Sequence, residues 1–279
     1  DVMLLVLVGA ALHAGWNALV KAGTDKLLDT VAVTVGSALL VGAALPFLPL
    51  PARESWPCIA ASVAIHVGYF ALVAAAYRAG EMSVAYPLMR GTAPLIVAAA
   101  SGALLGEDLA PGGWAGVALI CGGVLAFALP RRRRAGEARS GRAVAYALAN
   151  AVVIAGYTLV DGLGARLSGH AVAYTFWLLL FAAPPLVLLA RLRRPGGIAV
   201  ALIRRWRVAA IGGFCTTASY TLALWAMTRA PIATVAALRE TSILFGMALA
   251  SLALKERFGW PRHAAAATIA CGAAVLRLA

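Results

Sequence analysis

The chain has 279 residues, of which 62% are hydrophobic and only 13% are charged, and its formal net charge is +13. A soluble domain carries about 45–50% apolar and about 25% charged residues, so an ordinary soluble fold is excluded. Nucleic-acid binding is not indicated either, because the basic residues lie between apolar segments and are not interleaved with aromatic residues on one face. The class that remains is a membrane protein that crosses the bilayer many times.

Ten apolar segments follow one another, each close to the ~20 residues that a helix needs to cross the hydrocarbon core. They lie at 2–20, 28–50, 58–77, 82–105, 113–130, 142–161, 169–190, 208–228, 232–254 and 261–278. The first has no basic residues before it and no small-residue cleavage site, so we expect it to remain as a helix. Most connections are short, which predicts antiparallel neighbours. The four cysteines are scattered and indicate neither a disulfide framework nor a metal site.

The first segment carries a polar stripe. His13, Asn17 and Lys21 are spaced four residues apart, so they share one helix face, and Trp16 lies beside them. Polar groups inside a span are costly unless they are paired or hydrated. The stripe therefore predicts the wall of a hydrated cavity. The alternative is hydrogen bonding between helices, with Lys21 reaching the interface.

Aromatic side chains recur at depth in the third, sixth and eighth segments. Tyr69, Tyr157, Tyr220 and Trp225 lie too far from the segment ends to belong to an interfacial belt. They either stack against a ligand or pack against neighbouring helices. The sixth segment also contains Asp161, to which the sequence assigns no role.

The fourth segment contains Tyr86, Pro87, Arg90 and Pro94. Prolines remove amide donors and bend a helix, and the freed carbonyls are tolerated at depth only where protein or water satisfies them. Tyr86 and Arg90 are four residues apart and would line such a bend together. A guanidinium held there attracts a carboxylate or a phosphate.

The fifth segment opens with a Gly-x-x-x-Gly pair, Gly112 and Gly116. Such a pair lets two helix backbones approach closely. It predicts a packing or dimerisation element, and a monomer and a homodimer are both open.

The ninth segment places Arg239 beside Glu240. Glu240 either neutralises its neighbour or pairs with Arg90 across the molecule. The charged groups form either a structural lock between helices or part of a functional site, as buried ionisable groups usually do. Glu240 and His13 are the candidates for binding a coupling proton.

Short matches recur in the same order in the two halves, at offsets between 141 and 151 residues. The matches are Gly15-Trp16-Asn17 with Gly156-Tyr157-Thr158, Ser83-Val84-Ala85 with Thr234-Val235-Ala236, Leu105-Gly106-Glu107 with Leu254-Lys255-Glu256, and Cys121-Gly122 with Cys271-Gly272. They predict two five-helix repeats at residues 1–130 and 142–279, joined by an Arg-rich linker at 131–141.

Because five is an odd number, the second repeat must cross the membrane in the opposite direction. Eighteen of the 24 Lys and Arg residues lie on the side of the connections that follow odd-numbered segments, and four lie on the other side. The positive-inside rule places the first set in the cytoplasm. Both termini are then periplasmic in a bacterial inner membrane, although one missed or split helix would reverse this orientation.

These motifs resemble the EamA-type branch of the drug/metabolite transporter superfamily, over nearly the whole chain. The resemblance rests on Gly15-Trp16-Asn17, on Tyr86-Pro87-Leu88-Met89-Arg90-Gly91-Thr92 with Leu105-Gly106-Glu107, and on Leu238-Arg239-Glu240-Thr241 with Leu254-Lys255-Glu256. It implies ten helices, a central cavity and alternating access without nucleotide hydrolysis. Members are mostly exporters of amino acids and related metabolites, while others import sugars or carry sugar phosphates. Many are described with cytoplasmic termini, the opposite of what the charges here predict.

The sequence thus predicts an all-α polytopic membrane protein, with two inverted five-helix repeats around a central cavity lined by segments 1, 3, 4, 6, 8 and 9. The substrate-binding candidates are Arg90, Tyr86, Trp16, Asn17, His13, Tyr157, Tyr69 and Trp225. The coupling or gating candidates are Glu240, Arg239, Pro87 and Pro94.

The predicted function is secondary active export of amino acids or similar small metabolites. The expected partners are the substrate, the lipid bilayer, and protons or a counter-substrate, with no cofactor and no metal. No nucleophile elbow, P-loop or zinc motif suggests an enzyme. The alternatives are a non-transporting sensor or scaffold subunit and an importer of sugars or sugar phosphates.

Overall fold

The computed structural model describes residues 1–127, 141–194, 197–253 and 258–279, and these residues form helices without β-strands. The α-helices are α1 Val2–Ala22, α2 Lys26–Ala44, α3 Trp56–Ala79, α4 Met82–Leu105, α5 Pro111–Ala126, α6 Gly141–Leu167, α7 Ala171–Arg193, α8 Ala199–Arg204, α9 Trp206–Met227, α10 Ile232–Arg239, α11 Ser242–Ala253 and α12 Trp260–Leu278. Two short 3₁₀ helices, Leu45–Phe47 and Arg53–Ser55, lie between α2 and α3. Apart from Gly141, the predicted linker at 131–141 lies outside the described ranges.

The ten predicted segments correspond to ten helical regions. Within the described ranges, eight helical stretches are long and apolar enough to cross a membrane, and α5 is a shorter apolar helix. The ninth segment is divided into α10 and α11, and α8 is an extra helix in the Arg-rich connection that precedes α9. The chain is an all-α polytopic membrane protein.

Local sequence sets several helix ends. Asp25 precedes α2 and its side chain accepts a hydrogen bond from the Leu28 amide at 3.1 Å. That amide and the Arg194 guanidinium, 2.5 Å away, hold the pKa of the Asp25 carboxyl below its usual range, against the opposing effect of burial. Gly106 ends α4 with a positive φ of 67°, which a glycine adopts without strain.

Several helix pairs are arranged symmetrically: when the helices of one half are exchanged for those of the other half, each of these pairs has an equivalent. α1 packs along α9 and α11, and α6 packs correspondingly along α3 and α4. α2 packs along α7, and α5 along α12. This is the arrangement that two inverted five-helix repeats produce. The repeat boundaries at 130 and 142 stay a prediction.

The glycine pair of the predicted fifth segment packs within the chain. A methyl group added at Gly116 would lie 2.6 Å from Leu276 Cγ, and one at Gly112 would lie 2.9 Å from Ala279 Cβ. Both neighbours belong to the end of α12. Of the two predicted roles, the contacts therefore show close packing of α5 against α12.

The closest backbone approach lies between α2 and α9. A methyl group at Gly36 would lie 1.9 Å from the Ala209 carbonyl oxygen, and one at Gly213 would lie 2.6 Å from the Gly36 carbonyl carbon. Ser37 Oγ and Thr217 Oγ1 share a hydrogen bond of 2.8 Å across the same crossing. Glycines at this crossing therefore set how closely the two halves approach.

We expect a Gly36→Ala variant to be destabilised by about 1–3 kcal/mol, because the added methyl group must push two backbones apart. Gly68→Ala on α3 is the matched control, since a methyl group there meets nothing within 4 Å. Alanine favours a helix over glycine, so the control is expected to keep or slightly raise the melting temperature. Thermal unfolding in detergent, followed by size-exclusion chromatography, measures both, and equal melting temperatures would contradict the packing argument.

Candidate functional site

A cavity of about 220 Å³ lies between the two halves of the molecule. Eight helices contribute to its wall, namely α1, α2, α3, α4, α6, α7, α9 and α10. The lining residues are His13, Trp16, Asn17, Thr30, Val33, Thr34, Ser37, His66, Tyr69, Phe70, Tyr86, Arg90, Tyr157, Leu178, Leu179, Ala182, Leu186, Thr216, Ser219, Tyr220 and Arg239. Most of this wall is apolar or aromatic, with a few polar groups pointing inward, as is usual for small-molecule sites.

Most of the predicted site residues meet at this cavity. His13, Trp16, Asn17, Tyr69, Tyr86, Arg90, Tyr157 and Arg239 line it. Glu240 and Pro94 line a smaller adjoining pocket together with Arg90 and Arg239. Pro87 is buried within α4.

Trp225 is not among the residues that line the cavity. It lies near the end of α9 and packs against the main hydrophobic core, and the Arg229 guanidinium lies 5.6 Å from its ring centroid. The prediction that Trp225 lies deep in its segment and faces a ligand is therefore wrong on both points, because it lies two residues from the end of α9 and is not part of the cavity wall.

The wall contributed by α2 and α7 was not predicted. Thr30, Thr34 and Ser37 lie on α2 at spacings of four and three residues, so they form a second polar stripe on one helix face. This spacing is a signal that the sequence contained. The α7 contribution, which includes Leu178 and Leu186, is apolar and has no such signal.

Only part of the polar stripe on α1 faces the cavity. Trp16 Nε1 donates to His13 Nδ1 at 3.3 Å, and Asn17 Nδ2 donates to the His13 carbonyl oxygen at 2.8 Å. His13 and Asn17 line the cavity, whereas Lys21 is exposed at the helix end. Of the two predicted roles, the structure shows the cavity wall for His13 and Asn17, because these hydrogen bonds lie within α1 and do not join it to another helix.

The deep aromatic residues contact one another as well as the cavity. The His66 and Tyr157 rings stack with centroids 4.4 Å apart, and the Tyr69 ring meets the Tyr157 ring edge-on at 6.0 Å. Such pairs hold the rings in fixed orientations. The cavity wall is therefore rigid and aromatic on the α3 and α6 side.

Arg90 and Glu240 form a buried, two-point ion pair between α4 and the end of α10. Arg90 Nε donates to Glu240 Oε2 at 3.0 Å, and Arg90 Nη2 lies 2.9 Å from Glu240 Oε1. Their side chains are 11% and 5% exposed. Of the two partners open to Glu240 from the sequence, the structure shows the one across the molecule.

The helix is interrupted at this acid. Glu240 N donates to Ala237 O at 3.0 Å and Thr241 N to Leu238 O at 3.1 Å, the tighter spacing of a 3₁₀ turn. No proline or glycine stands at 240 or 241, so the sequence contained no signal for the break. Conversely, α4 continues through Pro87 and Pro94 as one helix.

Both repeats have an arginine at the equivalent position, but only the second repeat has an acid beside it. When two residues are skipped in the match that begins at Ser83 and Thr234, Arg90 aligns with Arg239 and Gly91 with Glu240. An acid has no room at 91, because a methyl group there would lie 2.8 Å from Leu125 Cγ. Glu240 therefore neutralises Arg90 and leaves its own neighbour without an acid.

Arg239 lies with its guanidinium 5.1 Å from the Tyr220 ring centroid. Among the described residues, no carboxylate lies within 4.0 Å of it. The cavity wall thus carries one guanidinium that faces an aromatic ring and has no acidic partner in the described part of the chain.

A polar clamp joins helix ends on the side of the molecule away from the Arg-rich connections. Glu107 pairs with Arg166, and its second oxygen accepts a hydrogen bond from the Ile232 amide at 2.9 Å, at the start of α10. Arg166 also donates to the carbonyl oxygens of Met227 at 2.7 Å and Ala230 at 3.1 Å. The clamp joins the ends of α6, α9 and α10 to the residues that follow α4.

One end of the cavity reaches the Arg-rich connections. Thr30 lies one turn from the start of α2, and Leu186 lies in the second half of α7; both line the cavity. These helix ends carry Lys26, Arg191 and Arg193. The cavity therefore extends toward the basic side of the molecule, and the residues of the polar clamp do not line it.

A helical membrane bundle with a one-sided cavity between inverted halves is the architecture of a membrane transporter of small molecules. Residues 141–278 match the model of the EamA-like transporter family. A protein of known crystal structure has a similar fold, with 21% identity, a TM-score of 0.73, and coverage of 99% of this chain and 95% of that chain. A search of curated proteins finds no match. The second half of the chain therefore carries the sequence pattern of the EamA-like transporter family, which is part of the drug/metabolite transporter superfamily.

Proposed function

We propose that the chain is a secondary active transporter that exports amino acids or similar small zwitterionic or anionic metabolites by alternating access. The observation that carries the proposal is Arg239, a guanidinium in the cavity wall without an acidic partner among the described residues. A guanidinium presents a rigid fork of donors that fits a carboxylate. The substrate carboxylate takes the place of the missing acid.

The rest of the wall suits a small substrate with an apolar or aromatic body. Trp16, Tyr69, Tyr86 and Tyr157 supply apolar ring surface. The cavity of about 220 Å³ is smaller than the ~300–1,000 Å³ of sites that hold drug-sized ligands. Amino acids fall in this size class.

The one-sided cavity supports alternating access. The Glu107–Arg166 clamp joins helix ends on one side of the molecule, and the cavity extends toward the side of the Arg-rich connections. We place that side in the cytoplasm of a bacterial inner membrane, and both termini in the periplasm, by the positive-inside rule. An exporter loads its substrate in this orientation.

The proposed role of Arg90 changes accordingly. The charge of its guanidinium is already paired with Glu240, so we assign it to holding α4 against α10, and we assign the carboxylate to Arg239. We assign Glu240, Pro87 and Pro94 to this junction between the repeats and not to the binding surface.

Counterflow in proteoliposomes tests the proposal. Vesicles that contain the purified full chain and an unlabelled amino acid mixture are expected to take up labelled amino acids faster than empty vesicles. A sugar or a sugar phosphate serves as the competing probe, because Arg239 also suits a phosphate. Exchange of sugar phosphates alone would favour the importer alternative, and binding without exchange of any probe would favour a sensor or scaffold subunit.

A further inference from the structure

Asp161 is a fully buried carboxylate that the proposed binding site does not use. It lies on α6, and its Oδ1 accepts a hydrogen bond from the Tyr174 hydroxyl at 3.1 Å. Its Oδ2 accepts one from the Tyr220 hydroxyl at 2.5 Å. The hydroxyl of Ser62, on α3, lies near the same carboxylate. Three neutral hydroxyl groups from three helices therefore surround a buried acid.

A short hydrogen-bonded path joins this acid to the cavity. Ser62 Oγ lies 3.3 Å from His66 Nδ1, and His66 lines the cavity, as Tyr220 does. His66 Nδ1 also lies 2.8 Å from the Ser62 carbonyl oxygen, which only accepts hydrogen bonds. The neutral ring therefore carries its proton on Nδ1 and leaves Nε2 free to receive one.

The groups around Asp161 leave it without a cationic partner. The titratable groups that face it are Cys58 and His66 on α3, Tyr157 on its own helix, Tyr174 on α7 and Tyr220 on α9, and Arg239 of α10 lies over the Tyr220 ring. In the described part of the chain, no Lys or Arg nitrogen lies within 4.0 Å of the carboxylate.

The other two acids near the translocation path differ in this respect. Glu240 is held by Arg90 and Glu107 by Arg166, so protonating either acid would leave a guanidinium without its counter-charge. Losing one partner of a buried ion pair is strongly unfavourable. Protonating Asp161 leaves only neutral hydroxyl groups, and removing a carboxylate from water already disfavours its charged form.

We propose that Asp161 is the proton-binding site through which this transporter is coupled to a proton gradient, with His66 and Ser62 as its path to the cavity. A proton taken up at His66 Nε2 releases the proton on Nδ1 to Ser62 Oγ, and the Ser62 hydroxyl proton passes to Asp161. This inference rests on the proposed transport function, because it names the coupling ion of the same site.

Protonation changes the contacts between helices. The protonated oxygen of Asp161 becomes a donor, so the tyrosine hydroxyl that donated to it must rotate its own hydrogen away and accept instead. Tyr174 and Tyr220 lie on α7 and α9, and Arg166 of the clamp lies five residues beyond Asp161 on α6. Proton binding thus rearranges the hydrogen bonds between α6 and its neighbours near the clamp.

The test compares Asp161→Asn with the wild-type chain in proteoliposomes, using a labelled amino acid mixture as the probe. Counterflow without a pH gradient measures exchange, and uptake after an imposed pH gradient measures coupling. We expect Asp161→Asn to keep counterflow but to lose gradient-driven accumulation, down to the level seen without a gradient. Glu54→Gln, which removes an exposed acid, is expected to match the wild type in both assays.

A second variant keeps the test decisive if Asp161→Asn folds poorly. Ser62→Ala retains the acid but breaks the path, so it should slow gradient-driven uptake and leave counterflow unchanged. Gradient-driven accumulation by Asp161→Asn at the wild-type level would overturn the inference and leave the transport function standing. The same conclusion would follow if the wild type shows counterflow but an imposed pH gradient drives no additional uptake. Absence of counterflow in the wild type would overturn the proposed function and the inference with it.

Discussion

Replacing Arg90 with methionine is expected to destabilise the folded protein by about 3–5 kcal/mol, because it leaves Glu240 charged and unpaired inside the bilayer. The Arg90 and Glu240 side chains are 11% and 5% exposed, so water cannot take over the lost contacts. The double variant Arg90→Met/Glu240→Gln removes both charges and should regain most of the stability. Unfolding with increasing SDS in mixed micelles measures the free energy of unfolding.

The matched control for this prediction is Arg53→Met, which removes an exposed arginine near the start of α3. Exposed charges contribute little, so we expect a change within about 0.5 kcal/mol. A structural role for the ion pair is contradicted if Arg90→Met unfolds at the same SDS fraction as the wild type. The sequence left open whether these charged groups lock the helices together or bind substrate, and this comparison distinguishes the two roles.

Replacing Arg239 with glutamine is expected to weaken substrate binding by about 10- to 100-fold while the fold is retained. Hydrogen bonds to a charged group contribute about 1.5–3 kcal/mol, and each 1.4 kcal/mol corresponds to a factor of ten. Glu240 keeps its partner Arg90 in this variant, so no acid is left unpaired. Substrate-dependent thermal stabilisation and the concentration dependence of counterflow measure the affinity.

An amino acid amide, which lacks the carboxylate, is the matched probe for Arg239. If Arg239 holds the carboxylate, Arg239→Gln should weaken binding of the amino acid and leave the already weak binding of its amide unchanged. Arg239→Lys keeps the charge but not the fork of donors, so partial recovery is expected. Equal loss for the acid and the amide would show that Arg239 acts on the cavity wall and not on the carboxylate.

Several site residues were predictable because a polar group inside an apolar span is conspicuous at any depth. His13, Asn17 and Arg90 could be recognised from their own segments, and all three line the cavity. Trp225 could not be placed, because a large aromatic side chain is equally compatible with a core and with a cavity wall. Its packing against the core is decided by neighbours that are distant in sequence.

The wall from α2 and α7 and the break after Arg239 show a second limit. Leu178 and Leu186 are ordinary residues of an apolar helix, and only the crossing of α7 with its neighbours brings them to the cavity. The interruption at Glu240 has no proline or glycine to mark it. The two-point contact between Glu240 and Arg90 identifies the junction, and it joins residues 150 positions apart in the sequence.

The sequence by itself determined the class of protein and its ten helical segments, and it predicted two related halves. Each span must be apolar along its own length whatever its neighbours are, so a one-dimensional pattern is enough for this. Only the tertiary structure decided which of the two equivalent arginines pairs with Glu240. Ion pairing falls off within a few ångströms, and the sequence does not contain the distances between helices.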